Sequence, residues 1–159
     1  MTSWLKKLKS LSGKKLKPES KRAVKVNTEA DPKKQLNKAV HLLSFRPRSA
    51  AELKQRGLAA AIPKLIELDL IDDKKFAQWW VEQRVNSNPR GNIGLKAELQ
   101  QKGIDREIIA SVLLTKDQEI DLAKKLLAKK NLDQPRAQRF LLSRGFESDV
   151  VFQLTPVGK

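Results

Sequence analysis

Glu52-Leu53-Lys54-Gln55-Arg56-Gly57 has two further versions downstream, Glu98-Leu99-Gln100-Gln101-Lys102-Gly103 and Phe140-Leu141-Leu142-Ser143-Arg144-Gly145, and a new amphipathic stretch follows each. In every version Leu stands four residues before Gly, and an apolar residue (Leu58, Ile104, Phe146) comes directly after it. Further apolar residues recur five and nine places after the Gly, as Ile62 and Ile66, Ile108 and Val112, Val150 and Leu154. These offsets describe two helices meeting at a glycine. Gly just past a helix end can take the left-handed conformation that closes the helix, and the apolar residue after it packs back.

The register extends upstream. Ala39, Ala77 and Ala123 open stretches that superimpose through Arg46, Arg84 and Lys130. Leu42, Trp80 and Leu126 lie three places after the Ala, and Leu43, Val81 and Leu127 lie four places after it. Each unit therefore reads as about three short helices, with glycines spaced 46 and then 42 residues apart, within the range of helical repeat arrays. No alternation of the β type competes, so the expected class is all-α.

The 159 residues suffice for one modest domain or one small array, whose core would hide roughly two thirds of the unfolded surface. Without Cys there is no disulfide framework and no thiolate metal site, which suits a reducing, cytoplasmic setting. Trp4, Leu5, Leu8 and Leu11 are separated by lysines and polar residues, unlike a secretory signal, and no stretch approaches a membrane span. Charge is concentrated at the start: residues 1–26 hold nine Lys or Arg against Glu19, net +8, out of +15 for the chain. This tail has two readings. It is a disordered, solubilising leader, or it tethers the protein to a polyanion through Lys6, Lys7, Lys9, Lys14, Lys15 and Lys17, with DNA or RNA favoured over lipid. Its apolar residues do share one helical face, the pattern of a membrane-surface helix.

Folded structure is expected from Asp31-Pro32, where Asp caps a helix and Pro fits its first turn, through Ala39 and Leu43 to about Arg46. Pro47 stops that helix, and Ser49 with Glu52 forms a capping box for the next. Pro63 forces a break between Ala59 and Leu68. Asp72 and Asp73 cap a long helix to about Val85, Asn86 to Asn92 reads as a connection, and helices follow at about 93–101 and, capped by Asp105, at 106–114. The last three fall at about 117–130, 135–143 and 148–154. The partition is a basic tail over 1–30 and repeats over 31–71, 72–115 and 116–159.

One His, no Cys and no Tyr leave most nucleophile and base pairs short of a member, and no GxxxxGK[ST] loop offers a phosphate cradle. His41 reads as a helix-surface or core-edge residue, Asp72-Asp73 as caps, and Glu52 and Glu98 as capping or solvated repeat elements. No enzyme, cofactor or metal site is expected. What remains is a binding surface. Arg46, Arg84 and Lys130 stand at equivalent places, and Arg48, Arg90, Lys96, Lys102, Arg139 and Arg144 lie near the joints. They are candidate contacts; the alternative is favourable charge at helix C-termini. Trp80, matching Leu42 and Leu126, is expected in the core, and Trp79 is either a second core contact or an exposed aromatic for a partner or a base.

Residues 36 to 154 resemble the RecX regulatory proteins, bacterial modulators of the RecA recombinase. The resemblance rests on Arg46-Pro-Arg-Ser49 before Glu52-Leu53, on Leu70-Ile-Asp-Asp-Lys-Lys-Phe-Ala77 leading to Trp80 and Arg84, on Gly91 to Gly103 with Ile104, and on Arg139-Phe-Leu-Leu-Ser-Arg-Gly-Phe146. Each piece is ordinary helix grammar; the order and spacing are specific. The resemblance implies an elongated, curved array of three-helix, winged-helix-like repeats without enzymatic activity. It implies binding to RecA filaments on single-stranded DNA, limiting their growth or promoting their loss, and so restraining ATP hydrolysis, strand exchange and repressor cleavage in the SOS response. DNA contact would be direct or through the filament, with no membrane, and the chain is expected to be a monomer. Between Glu52-Leu53 and Asp72-Asp73 the family pattern has about ten more residues, so the first repeat is expected to be compressed. Two rivals stay open: a stand-alone, sequence-nonspecific DNA- or RNA-binding module, and an adaptor for another protein.

Overall fold

A computed structural model describes residues 31–156; the tail lysines and the face formed by Trp4, Leu5, Leu8 and Leu11 lie outside the described residues. The described residues are helical without a β-strand. In chain order the α-helices are α1 Pro32–Phe45, α2 Ala50–Gln55, α3 Ile62–Glu67, α4 Asp73–Ser87, α5 Asn92–Gln101, α6 Arg106–Val112, α7 Lys116–Ala128, α8 Gln134–Ser143 and α9 Ser148–Leu154, with a 3₁₀ turn at Ala59–Ala61. The chain divides into two compact units, Met1–Phe76 and Ala77–Lys159, the division falling inside α4.

In the first unit the start of α1 follows from Asp31, whose side chain accepts the Lys33 N–H at 2.9 Å, with Pro32 in the first turn. Gln35, Ala39 and Leu43 make its buried stripe at helical spacing. Ala39 and Leu43 pack with Leu53, Leu58, Ala61, Leu65, Leu70 and Ile71, while Gln35 Oε1 accepts the Ala60 N–H at 3.0 Å. Burial of a large aliphatic side chain is worth about 1.5–3 kcal/mol, so this cluster is the main stabilising term of the unit. The capping box at Ser49 and Glu52 is formed in both directions. Pro63 acts as expected: the chain makes a 3₁₀ turn and starts α3 afresh, with Pro63 in the first turn. α2 spans six residues, where α5 and α8 span ten.

Asp72 and Asp73 divide their work, contrary to the expectation that both cap α4. Asp72 Oδ1 accepts the N–H groups of Lys74 and Lys75. Asp73 Oδ1 instead accepts the Ala50 N–H at 2.9 Å, a free donor in the first turn of α2.

The three glycines do what the pattern requires. Gly57, Gly103 and Gly145 have φ of 75°, 71° and 75°, in the left-handed region. At each, the residue after Gly donates to the Leu five residues earlier: Leu58 to Leu53 at 3.1 Å, Ile104 to Leu99 at 3.1 Å, Phe146 to Leu141 at 3.2 Å. The Gly N–H bonds the carbonyl three residues back, which completes a Schellman motif every time. Both apolar partners of each motif are buried. A fourth motif carries no such signal in the sequence. Asp69 has φ 53°, and Leu70 donates to the Leu65 carbonyl at 2.8 Å. Asp tolerates this conformation better than most residues with a Cβ, so no glycine marks the place.

In the second unit α4 runs to Ser87, two residues past the expected end, and Asn92 belongs to α5 rather than to the connection. Asn92 has a reason to be there. Its backbone N–H donates to Glu119 Oε1 at 2.8 Å, its amide nitrogen donates to Glu119 Oε2 and to the Leu114 carbonyl, and its amide oxygen accepts the Leu114 N–H. Gly91 donates to the Arg144 carbonyl and Gly94 to the Gly145 carbonyl, so the start of α5 meets the third glycine joint backbone to backbone. Side chains would not fit: a Cβ on Gly91 would lie 2.3 Å from Phe146 Cα, and one on Gly145 would lie 2.4 Å from the Gly94 nitrogen. Beside this contact Ile120, Leu122, Ala123, Leu141, Phe146, Val150 and Val151 form a hydrophobic core. α7 begins at a further capping box, Thr115 with Gln118.

Candidate functional site

The residue seven places after the repeat Ala and the residue five places before the repeat Gly meet in each repeat. In the first, Arg46 holds Glu52 with two parallel bonds, Nη2 to Oε1 at 2.9 Å and Nη1 to Oε2 at 3.1 Å. In the second, Arg84 Nε lies 2.7 Å from Glu98 Oε2. In the third the glutamate position is Phe140, and Lys130 Nζ sits 5.5 Å from its ring centroid. An ion pair is thus exchanged for a cation–π contact at one place in the repeat. Arg46 and Arg84 are therefore bound to their own repeats, and Glu52 and Glu98, at 11% and 15% side-chain exposure, are not solvated. Pairing these two positions in the sequence would have found this geometry.

Around Glu98 the second unit gathers its cations. Arg84 sits 4.8 Å and Lys102 5.0 Å from the Trp80 ring centroid, while the Trp80 indole N–H donates to Glu98 Oε2 at 2.8 Å. Arg90 Nε lies 2.8 Å from Glu98 Oε1, an ion pair without hydrogen-bond alignment. Trp80 is thus only half-buried. Leu42 and Leu126, at the same repeat position, are half-buried too, so the position lies at the core edge, where Trp80 turns its polar edge to Glu98 and its ring to two cations. Trp79 is half-buried too, edge-on to Trp80 with centroids 6.1 Å apart. Three cations around one carboxylate leave this patch positive, and Arg84 and Arg90 keep 27% and 35% of their side-chain surface.

The remaining candidates scatter. Lys96 and Arg139 are exposed on α5 and α8. Arg144, the residue before the third glycine, lies 5.4 Å from the Phe140 ring centroid and also donates to Asn88 Oδ1. Lys102 and Arg144 thus stand at one repeat position, each over an aromatic ring of its own repeat. Arg48 does not suit a contact role: it is 9% exposed and turned inward, its Nε 3.4 Å from the Leu42 carbonyl. Burial, with the Arg46 and Arg56 charges adding, lowers its pKa from the ordinary arginine value. A guanidinium spent on a backbone carbonyl at the core edge has little left for a partner. Among the described residues no helix is long and apolar enough to cross a membrane.

Residues 72–113 match the family described as RecX, second three-helix domain. Over 136 residues the chain is 34% identical to the regulatory protein RecX of Chlorobium phaeobacteroides, covering 76% of this chain and 90% of that protein. Against the regulatory protein RecX of a Mycobacterium species it is 38% identical over 99 residues, 55% of this chain and 54% of that relative, so it spans about half the length of that curated protein. The crystal structure of RecX from Lactobacillus salivarius matches with a TM-score of 0.64 at 29% identity, over 77% of this chain and 93% of that one. A second RecX crystal structure, at 23% identity and a TM-score of 0.67, agrees in fold.

Fold and site together define a small, basic, all-helical protein in which a cation and a facing carboxylate or aromatic ring tie each glycine-jointed helix set. The chain belongs to the RecX family of regulatory proteins.

Proposed function

We propose that the chain is a non-enzymatic regulator that binds the RecA filament on single-stranded DNA and restrains its ATP hydrolysis, recombinase and co-protease activities in the cytoplasm. The observation that carries this reading is its kinship with regulatory protein RecX over nine tenths of the Chlorobium relative. A physical rationale supports it. Repeats over 31–71, 72–115 and 116–159 would let one monomer touch successive subunits of a polymer, so that modest contacts add. The contacts are assigned to the exposed Lys96 and Arg139 and to the open edges of Arg46, Arg84, Arg90, Lys102 and Arg144, with Lys6, Lys7, Lys9, Lys14, Lys15 and Lys17 adding attraction to phosphates.

Co-sedimentation with filaments separates contact from scaffold. Lys96→Glu with Arg139→Glu should weaken filament binding and leave the melting temperature unchanged. Arg84→Glu should cost about 1–3 kcal/mol of stability, because it leaves Glu98 beside a like charge. Full binding by the double variant would move the contact elsewhere. The net charge of +15 favours a second reading, a stand-alone nucleic-acid-binding module. That reading requires tight binding to naked DNA or RNA with a steep salt dependence and no need for RecA.

A further inference from the structure

Lys34, Lys38, His41 and Phe45 are all exposed, and their spacing of four, three and four residues sets them on one face of α1. That face lies across the helix from the buried Gln35, Ala39 and Leu43 and runs for about 16 Å.

Two features of α1 work against its stability. Lys33 and Lys34 stand in the first turn, where the helix dipole disfavours cations, and α1 contains no Asp or Glu to offset them. The Asp31 carboxylate, which caps the helix, offsets part of this charge. At the other end Phe45 leaves 72% of its surface to solvent, braced edge-to-face by His41 with centroids 5.0 Å apart. The first helices of the other two repeats differ: α4 carries Asp73 and Glu82, and α7 carries Asp117, Glu119 and Asp121. Cations in the first turn are shared, as Lys74 and Lys75 in α4 and Lys116 in α7, but of the three first helices α1 alone lacks an internal carboxylate and carries an exposed aromatic ring, which leaves it a positive face suited to a partner.

We propose that this face of α1 binds single-stranded nucleic acid, Lys34 and Lys38 on consecutive phosphates and Phe45 beneath an unpaired base, braced by His41. Charge sets the partner as a polyanion. The braced, exposed ring sets it as one with flat faces to stack, which a duplex keeps closed. The inference takes its setting from the proposed function, and names a strand contact that the RecA reading leaves unassigned.

The test is binding of the full chain to a labelled single-stranded oligothymidylate and to a duplex, without RecA. Phe45→Ala should weaken single-strand binding by about 5- to 100-fold and leave duplex binding unchanged, and Phe45→Trp should bind at least as tightly as wild type. Lys34→Glu with Lys38→Glu should weaken both and lower the single-strand salt slope by about 1.4. Unchanged single-strand affinity for Phe45→Ala, with helicity intact, would overturn the inference. So would an equal loss on duplex, and so would a loss confined to phosphatidylserine vesicles, which would make the face a membrane surface. RecA ATP hydrolysis measured beside these assays keeps the two readings apart. If wild type restrains RecA while Phe45→Ala binds the strand normally, only the inference fails; if strand binding depends on Phe45 while RecA is untouched, only the RecA reading fails.

Discussion

Glu119 has no exposed surface and yet is a carboxylate. Its Oε1 accepts the Asn92 and Glu147 backbone N–H groups and its Oε2 the Asn92 amide, so its role is to satisfy donors where the start of α5 meets the third glycine joint. Burial raises its pKa above the ordinary glutamate value, with those two backbone bonds opposing. The sign follows: a raised folded-state value means that its contribution to stability is greatest below the unfolded value, about 4.3, and is lost as pH rises through the folded one. The penalty of Glu119→Gln does not titrate, so that variant should be most destabilised relative to wild type near pH 4 and least near pH 7. Denaturant unfolding at the two pH values measures it, and a constant difference would contradict it. None of this was legible in the sequence. Glu119 reads there as one more charge on an amphipathic helix, because its burial is decided by Gly91, Gly94 and Gly145 meeting from distant places.

Glycine joints, by contrast, could be read, because each demands a backbone conformation that local sequence advertises. Their costs of substitution should nonetheless differ. Gly57→Ala meets no atom within 4 Å and carries only the strain of φ 75°, about 1–2 kcal/mol. Gly145→Ala has that strain and also drives its Cβ to 2.4 Å from the Gly94 nitrogen, so the loss should exceed that of Gly57→Ala by at least about 2 kcal/mol. Melting of the two variants decides, and equal losses would show that the second unit does not depend on this close approach. Helix starts were equally legible at Asp31, Ser49 and Asp105, whose caps are local. Asp73 defeats such a reading because the N–H it accepts is 23 residues away. The six-residue α2 and the ten-residue α5 explain a further difference: α5 has an extra turn at its start, which carries Gly94 and docks on Gly145, whereas Glu52, without that turn, falls where it can cap as well as pair.

For the whole molecule, fold class and family follow from the order of short motifs, each weak alone. The candidate contacts were less legible. Charge is visible in a sequence, but whether a cation is free depends on what faces it, as Glu52 does Arg46 and the Leu42 carbonyl does Arg48. The proposed partner, RecA, is suggested by kinship alone, and its most direct test is RecA's ATP hydrolysis on single-stranded DNA, with the full chain beside a version beginning at Asp31. Regulation of RecA requires that substoichiometric full-length chain slow hydrolysis and that the shortened version still do so, at higher concentration and with weaker salt dependence. Unchanged hydrolysis at saturating full-length chain, with the DNA remaining covered by RecA, would contradict it.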